Sequence, residues 1–353
     1  MAVDAKMLEE LRTEPEIEMD LSWLNPDSET GVRAVPGKHG LTVESIQIGS
    51  YGFIPEETKN YSMKPRGAAA RPGVQRLGIR WDEKSQGWSE AVSMLYEEAQ
   101  QRQWSSATDI PWEDLQELPD DVELAMCELC TFLTQVEFIA GDVPGRWIRR
   151  LSADHYEVAL FLASQVMDEG RHLDVFRKRA LANGGGLLEA GPGAVGFLYN
   201  ADFVEMTATL HIMAEGFVQS VFRMGELFAP TEVEKRMFRL SAQDESRHVA
   251  FGVMQVKNLL ESQPERKEEV LSYLERQGGG GGGGATIATG AGTGESLAIL
   301  LGRGKDNLDE GYRLLMAIRQ KQVRELMQRL KVCGLGEYAD AMMARMQAFA
   351  GAD

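Results

Sequence analysis

Apolar residues recur at helical spacing along most of this chain, and the breaks in that pattern divide it. A short helix is predicted near Ala5–Leu11. The Gly-, Pro- and charge-rich stretch after it predicts no element. Trp88, Val92, Leu95 and Tyr96 fall on one face of an amphipathic helix over residues 87–103. Residues 107–120 hold two prolines and connect to residues 119–262, where long periodic segments predict a helical bundle. Within it, 183–200 (NGGGLLEAGPGAVGFLYN) breaks the pattern with glycines and one proline. Seven consecutive glycines at 278–284, followed by ATIATGAGTGES, read as a flexible linker. Helical spacing returns over 296–350, with Leu314, Leu315, Ile318, Val323, Leu326 and Leu330 expected to be buried. The expected division is an N-terminal extension with short helices (1–118), a bundle (119–262), a Gly-rich linker (263–295) and C-terminal helices (296–353).

Charge and cysteine narrow the class. The 353 residues fit one large domain with appendages, or two domains. Acidic residues outnumber basic ones 54 to 37, for a net charge of −17, which lacks the basic footprint that phosphates require and sets nucleic-acid binding aside. Cys127, Cys130 and Cys333 cannot make a disulfide framework, which fits a reducing compartment. The acidic, amphipathic N-terminus has no signal-peptide pattern, and no run of about 20 apolar residues is present. A cytoplasmic protein with no membrane span is expected.

One string occurs twice. Asp168-Glu169-Gly170-Arg171-His172 and Asp244-Glu245-Ser246-Arg247-His248 are both D-E-x-R-H, in a chain with five histidines. Glu and His three apart lie one turn apart on one helix face, so a carboxylate and an imidazole can reach one metal ion. A two-ion site in a bundle takes such a pair from each of two helices and a lone Glu from each of two others. In an antiparallel helix pair, residues at equal depth are equidistant from the turn. Glu137 and Glu169 are equidistant from Ala153, beside Asp154, which stands three residues before Glu157 as in a capping box. Glu215 and Glu245 are equidistant from Pro230, beside Thr231, which stands three residues before Glu234. Each predicted hairpin brings a lone Glu level with a Glu-x-x-His. At about 100° per residue, Glu128 lies opposite Glu137, Glu157 lies about 120° from Glu169, and Glu205 about 80° from Glu215; Glu123 is about 21 Å along the helix from Glu137.

The ligand face is also the apolar face, shared by Val158, Leu162 and Phe176 on one helix and by Phe238, Gly252 and Val256 on another. Four buried glutamates are costly unless paired or bound to metal, and two divalent cations would neutralise them. Pro144, inside the first long helix, predicts a kink beyond Glu137.

These residues resemble the ferritin-like superfamily of diiron-carboxylate proteins. The doubled D-E-x-R-H is similar to that of bacterial multicomponent monooxygenase hydroxylase subunits and of ribonucleotide reductase small subunits and their oxidase relatives. The resemblance implies an all-α, ferritin-like four-helix bundle with a long crossover between the two hairpins. It implies that Glu137, Glu169 and His172 bind one ion and Glu215, Glu245 and His248 the other, with some glutamates bridging. Asp168 and Asp244 would accept the free N–H of the histidine from the opposite hairpin, with Arg171 and Arg247 paired to them. The radical tyrosine of most reductase small subunits is replaced here by Phe176, and the monooxygenase threonine by Gln219. Both positions are candidate catalytic neighbours of the site.

Among other residues, His211 lies one turn before Glu215 and is either a further ligand, a group behind one, or a satisfied core histidine. His155, at a hairpin turn, is expected to be exposed. Cys130 shares the face of Glu137 and would line a pocket. Trp104, Trp112, Trp147 and Tyr156 read as packing, with electron relay as the alternative. The expected function is a diiron oxidase or oxygenase acting on a small organic substrate with dioxygen and an electron-donor protein, a reductase or ferredoxin; a homodimer is compatible with it. Two iron ions are expected, with Mn/Fe as the alternative pair, since both metals accept these O/N ligands. The rival functions are a radical-generating or metal-handling relative, and a structural bundle that binds nothing.

Overall fold

The computed structural model describes residues 5–11, 19–25, 29–70, 72–79, 81, 83–191, 198–199, 201–279 and 293–350. The seven-glycine run falls mostly outside them. Helices dominate, and no strand forms among the described residues beyond three isolated bridges. We label α1 (Ala5–Leu11), α2 (Val92–Gln101), α3 (Asp120–Ile148) and α4 (Tyr156–Ala182). Helix α5 joins Phe203–Met206, a π-helical Thr207–Ala214 and Glu215–Arg223. Then follow α6 (Glu232–Ser262), α7 (Lys267–Gly279), α8 (Thr293–Gly302), α9 (Leu308–Val332) and α10 (Gly336–Ala350). Helices α7 and the start of α8 occupy part of the stretch read from sequence as linker.

Helices α3 and α4 form one hairpin, α5 and α6 the other, and α4 packs on α6 across them. Phe203, at the start of α5, lies 5.2 Å edge-on from Trp147 at the α3–α4 turn. Helix α4 ends 27 residues after that turn, roughly 40 Å away. The end of α4 and the start of α5 thus lie at opposite ends of the bundle, as the predicted long crossover requires.

Two turns set the register. The α5–α6 turn ends in the predicted capping box, with Thr231 and Glu234 capping each other's backbone N–H groups. The α3–α4 turn is capped differently from the expectation. Ser152, not Asp154, accepts the first N–H, and a short 3-10 turn precedes α4. Asp154 instead accepts from Thr58 (2.6 Å) and Asn60 (3.0 Å), because the N-terminal extension folds over this end of the bundle. The same cover buries His155, expected to be exposed, against Trp81 at 4.8 Å.

Helix α3 continues through Pro144 to Ile148 without a break. By length and mean hydropathy it is long and apolar enough to cross a membrane, although 56% of that 18-residue window is buried in the fold. It is packed on α4 and α8 and carries Glu137. Three apolar clusters form among the described residues, and two of them fill the bundle around the predicted ligands. One contains Leu133, Phe176, Phe222 and Phe238; the other contains Ala140, Phe161, Leu210 and Phe251. The six predicted ligands lie between them.

Candidate metal centre

Glu137, Glu169, His172, Glu215, Glu245 and His248 are all buried to within 3% exposure. They come from the middles of α3, α4 and α6 and from the first residue after the π segment of α5. The His172 and His248 ring centroids are 6.5 Å apart. His172 Nδ1 lies 3.2 Å from Glu169 Oε2, 3.3 Å from Glu245 Oε1 and 3.6 Å from Glu137 Oε2. His248 Nδ1 lies 3.0 Å from Glu169 Oε1 and 3.5 Å from Glu245 Oε2. Donor atoms within 4.8 Å of one another form two groups: Glu137, Glu169, His172 and Glu245, and Glu169, Glu215 and His248.

The geometry refines the sharing expected from the resemblance. Glu169 and Glu245, the two D-E-x-R-H glutamates, each span both histidines. Glu137 and Glu215 each reach one end. The two histidines thus stand on either side of a pair of carboxylates that reach both.

Several of these buried atoms make no well-directed hydrogen bond, even where a neighbour is as close as the 3.0 Å between Glu169 Oε1 and His248 Nδ1: Glu137 Oε1, Glu169 Oε1, Glu215 Oε2, Glu245 Oε2 and His248 Nδ1. Buried polar atoms are normally satisfied, and such a cluster of orphans converging on one point calls for an ion. The donor set, carboxylate oxygen and imidazole nitrogen, suits iron and manganese. Burial pushes the carboxyls of Glu137 and Glu215 well above the usual range, reinforced by the neighbouring glutamates. Burial opposes charge on both histidines, but the surrounding carboxylates outweigh it and raise them well above their usual range. Without cations, protons are drawn in to balance the charge.

The far nitrogens are held as expected. His172 Nε2 lies 3.2 Å from Asp244 Oδ2, and His248 Nε2 lies 3.2 Å from Asp168 Oδ2, each aspartate coming from the opposite hairpin. An acceptor at Nε2 fixes the proton there and leaves Nδ1 free for metal. Arg171 and Arg247 each bridge both aspartates, with Arg247 Nη2 2.8 Å from Asp168 and 2.6 Å from Asp244. The rival carboxylates have their own partners. Glu123 pairs with Arg179, Glu157 with Arg66 and Glu205 with Arg276.

Some neighbours were not legible in sequence. Trp104 Nε1 donates to Asp244 Oδ2 at 2.6 Å, and its ring stacks 6.3 Å from that of His172. Gln165 donates to Glu215 Oε1 at 2.7 Å and meets His211 Nε2 through Oε1 at 3.0 Å. His211 therefore stands behind Glu215, through Gln165, rather than among the ligands. Burial, reinforced by the His248 charge, pushes its pKa down to about 3. Gln165 lies one turn before Glu169 on the same face, which is the signal that could have found it. The π segment crowds His211 against α6, where a Cβ at Gly252 would stand 2.4 Å from His211 Cβ. Only glycine fits that approach.

Gln219 is turned away from the cluster and donates to Ser246 Oγ at 3.0 Å. Phe176 packs on Phe222 and Phe238, at 5.3 and 6.1 Å. Cys127 and Cys130 are buried thiols raised by burial, to about 12 for Cys127, which places neither in a reactive state at neutral pH.

A scan against known protein families finds no match, and neither does a search of curated proteins. Structural neighbours are R2-like ligand-binding oxidases. One, with an aerobically reconstituted Mn/Fe cofactor, is 19% identical over 69% of this chain and 93% of its own, with a TM-score of 0.45. Another, without metal cofactor, is 20% identical over 68% of this chain and 95% of its own, with a TM-score of 0.46.

Beside the cluster, Glu137, Glu215 and Glu245 open onto an apolar cavity of about 80 Å³. Its walls include Leu133, Val136, Val218 and Val221. On the α3–α4 side, Glu137 and Glu169 reach a separate cleft bounded by Gly141 and Gly145.

Proposed function

We propose that the protein is a dimetal oxidoreductase that uses dioxygen to oxidise a small organic molecule. The observation that carries this reading is the convergence of four buried glutamates and two buried histidines whose orphaned atoms face one another. When bound, two redox-active ions, iron in at least one position, supply the binding and reduction of dioxygen. Glu169 and Glu245 would contribute to both ion positions, and Glu137 and Glu215 to one each. Asp168 and Asp244 keep the histidine protons at Nε2. The apolar cavity admits the substrate to the Glu137–Glu215–Glu245 side and excludes bulk water. Electrons come from a partner protein, and the Trp104–Asp244–His172 contacts provide a bonded route inward. The free, buried thiols of Cys127, Cys130 and Cys333 favour a reducing, cytoplasmic setting.

A radical-storing role is less well supported, since Phe176 offers no oxidisable hydroxyl. The test is oxygen uptake by iron-loaded protein given a chemical reductant, with product analysis. Uptake that scales with bound iron, and that disappears in Glu169→Ala, supports the reading. Iron-loaded protein that consumes no oxygen would remove it.

A further inference from the structure

One wall of the apolar cavity carries a cation. Arg319 of α9 lines the same space as Glu137, Glu215 and Glu245, and so does Gln322, one turn further along the helix. Arg319 is half-buried, and the one hydrogen bond it donates among the described residues runs from Nη1 to Gln322 Oε1 at 3.0 Å. No carboxylate pairs with it among the described residues, although Glu137, Glu215 and Glu245 line the cavity. The stretch 280–292, which leads into the cavity-lining Thr293, contains no acidic residue. Burial lowers its pKa, with no acidic neighbour to offset the effect.

The position of Arg319 is fixed by its neighbour. Gln322 Nε2 donates to the backbone carbonyl of Phe217 at 3.0 Å, two residues beyond Glu215. Helix α9 is thereby tied to the helix that carries a predicted ligand. Arg319 stands about 4.5 Å along α9 from Gln322. Among the described residues, Arg66, Arg171, Arg179 and Arg247 each hold a carboxylate; Arg319 holds none and, unlike the similarly unpaired Arg329, lines the cavity. A cation facing an apolar cavity without a counter-ion is costly unless an anion arrives.

We propose that the cavity binds a small organic carboxylate, with its charged group on Arg319 and its apolar body directed toward Glu137, Glu215 and Glu245. The orientation rests on the dimetal reading; the anion site does not. A planar guanidinium matches a carboxylate through two parallel N–H···O bonds, and an apolar wall selects an alkyl or aryl body. The cavity volume of about 80 Å³ is smaller than the roughly 150 Å³ of an apolar cavity that takes benzene, which favours a short or slender body.

The experiment is calorimetric titration of the full-length protein, metal-loaded and metal-stripped, with straight-chain carboxylates of about four to ten carbons and the matching primary alcohols. At least one carboxylate is expected to bind about tenfold tighter than its alcohol. Arg319→Met removes that preference and leaves alcohol binding unchanged, and Arg319→Lys restores part of it. Val221→Trp, at the partly buried edge of the cavity, weakens both ligands. The proposal is overturned if no carboxylate binds. It is overturned equally if Arg319→Met shifts carboxylate affinity less than twofold, or if binding requires metal and ignores Arg319. An Arg319-dependent preference in protein that takes up no metal keeps the anion site and removes the dimetal reading. Two bound ions with no such preference do the reverse.

Discussion

Two places in this bundle bury acidic side chains, and they are built in opposite ways. At one end, Arg179 is fully buried between Glu123 and Glu234, and Asn183 adds a further donor to Glu123. The protein supplies the cation, and the carboxylate oxygens are bonded. In the middle, Glu137, Glu169, Glu215 and Glu245 face one another with no arginine or lysine paired to them among the described residues; their nitrogen partners are the two histidines and Gln165, and four of their oxygens lack a well-directed hydrogen bond. The cations that could have served, Arg171 and Arg247, are spent on Asp168 and Asp244 behind the histidines. The first cluster is closed by the chain itself. The second is left open to an external cation.

The largest effect should come from breaking the closed cluster. Arg179→Met leaves two carboxylates without their cation and should cost about 3–5 kcal/mol in chemical denaturation, whether or not metal is present. Metal loading should act only on the open cluster. At a free-ion concentration of about 100 times Kd, it should add roughly 2.7 kcal/mol, read as a rise in Tm. Arg179→Met should keep that increment, and Glu169→Ala should lose it.

Next in size are the aspartates behind the histidines. Asp168→Asn and Asp244→Asn should each weaken metal binding about 10–100-fold in a competitive chelator titration, because a neutral amide replaces the charged carboxylate that orients the imidazole and raises its basicity. The smallest effect tests the sign of the comparison. Burial already favours the neutral form of Glu215, so Glu215→Gln should change metal-free stability by less than about 1 kcal/mol while weakening metal binding. Glu234→Gln, beside Arg179, should destabilise clearly in the same denaturation measurement.

Much of the bundle was legible because its signals are local. Glu-x-x-His places two ligands on one face by helix geometry alone, and a turn midway between two glutamates sets their common depth. Thr231 and Glu234 carry a capping pattern that the fold uses as written. Asp154 carries the same pattern and is drawn off by Thr58 and Asn60, about a hundred residues earlier, which no local rule sees. Trp104 meets Asp244 across 140 residues of chain. The π segment over Thr207–Ala214 is a shift of backbone hydrogen bonds with no residue signature, and it defeats a straight-helix wheel for His211. The N-terminal coil that buries His155 has no period to read.

The most direct test is an anomalous-scattering map at the iron edge of crystals loaded with ferrous iron under anaerobic conditions. Two peaks roughly 3.5–4 Å apart, flanked by His172 and His248 and joined across Glu169 and Glu245, are the predicted result. A single peak, or none between these six side chains after loading, would contradict the account.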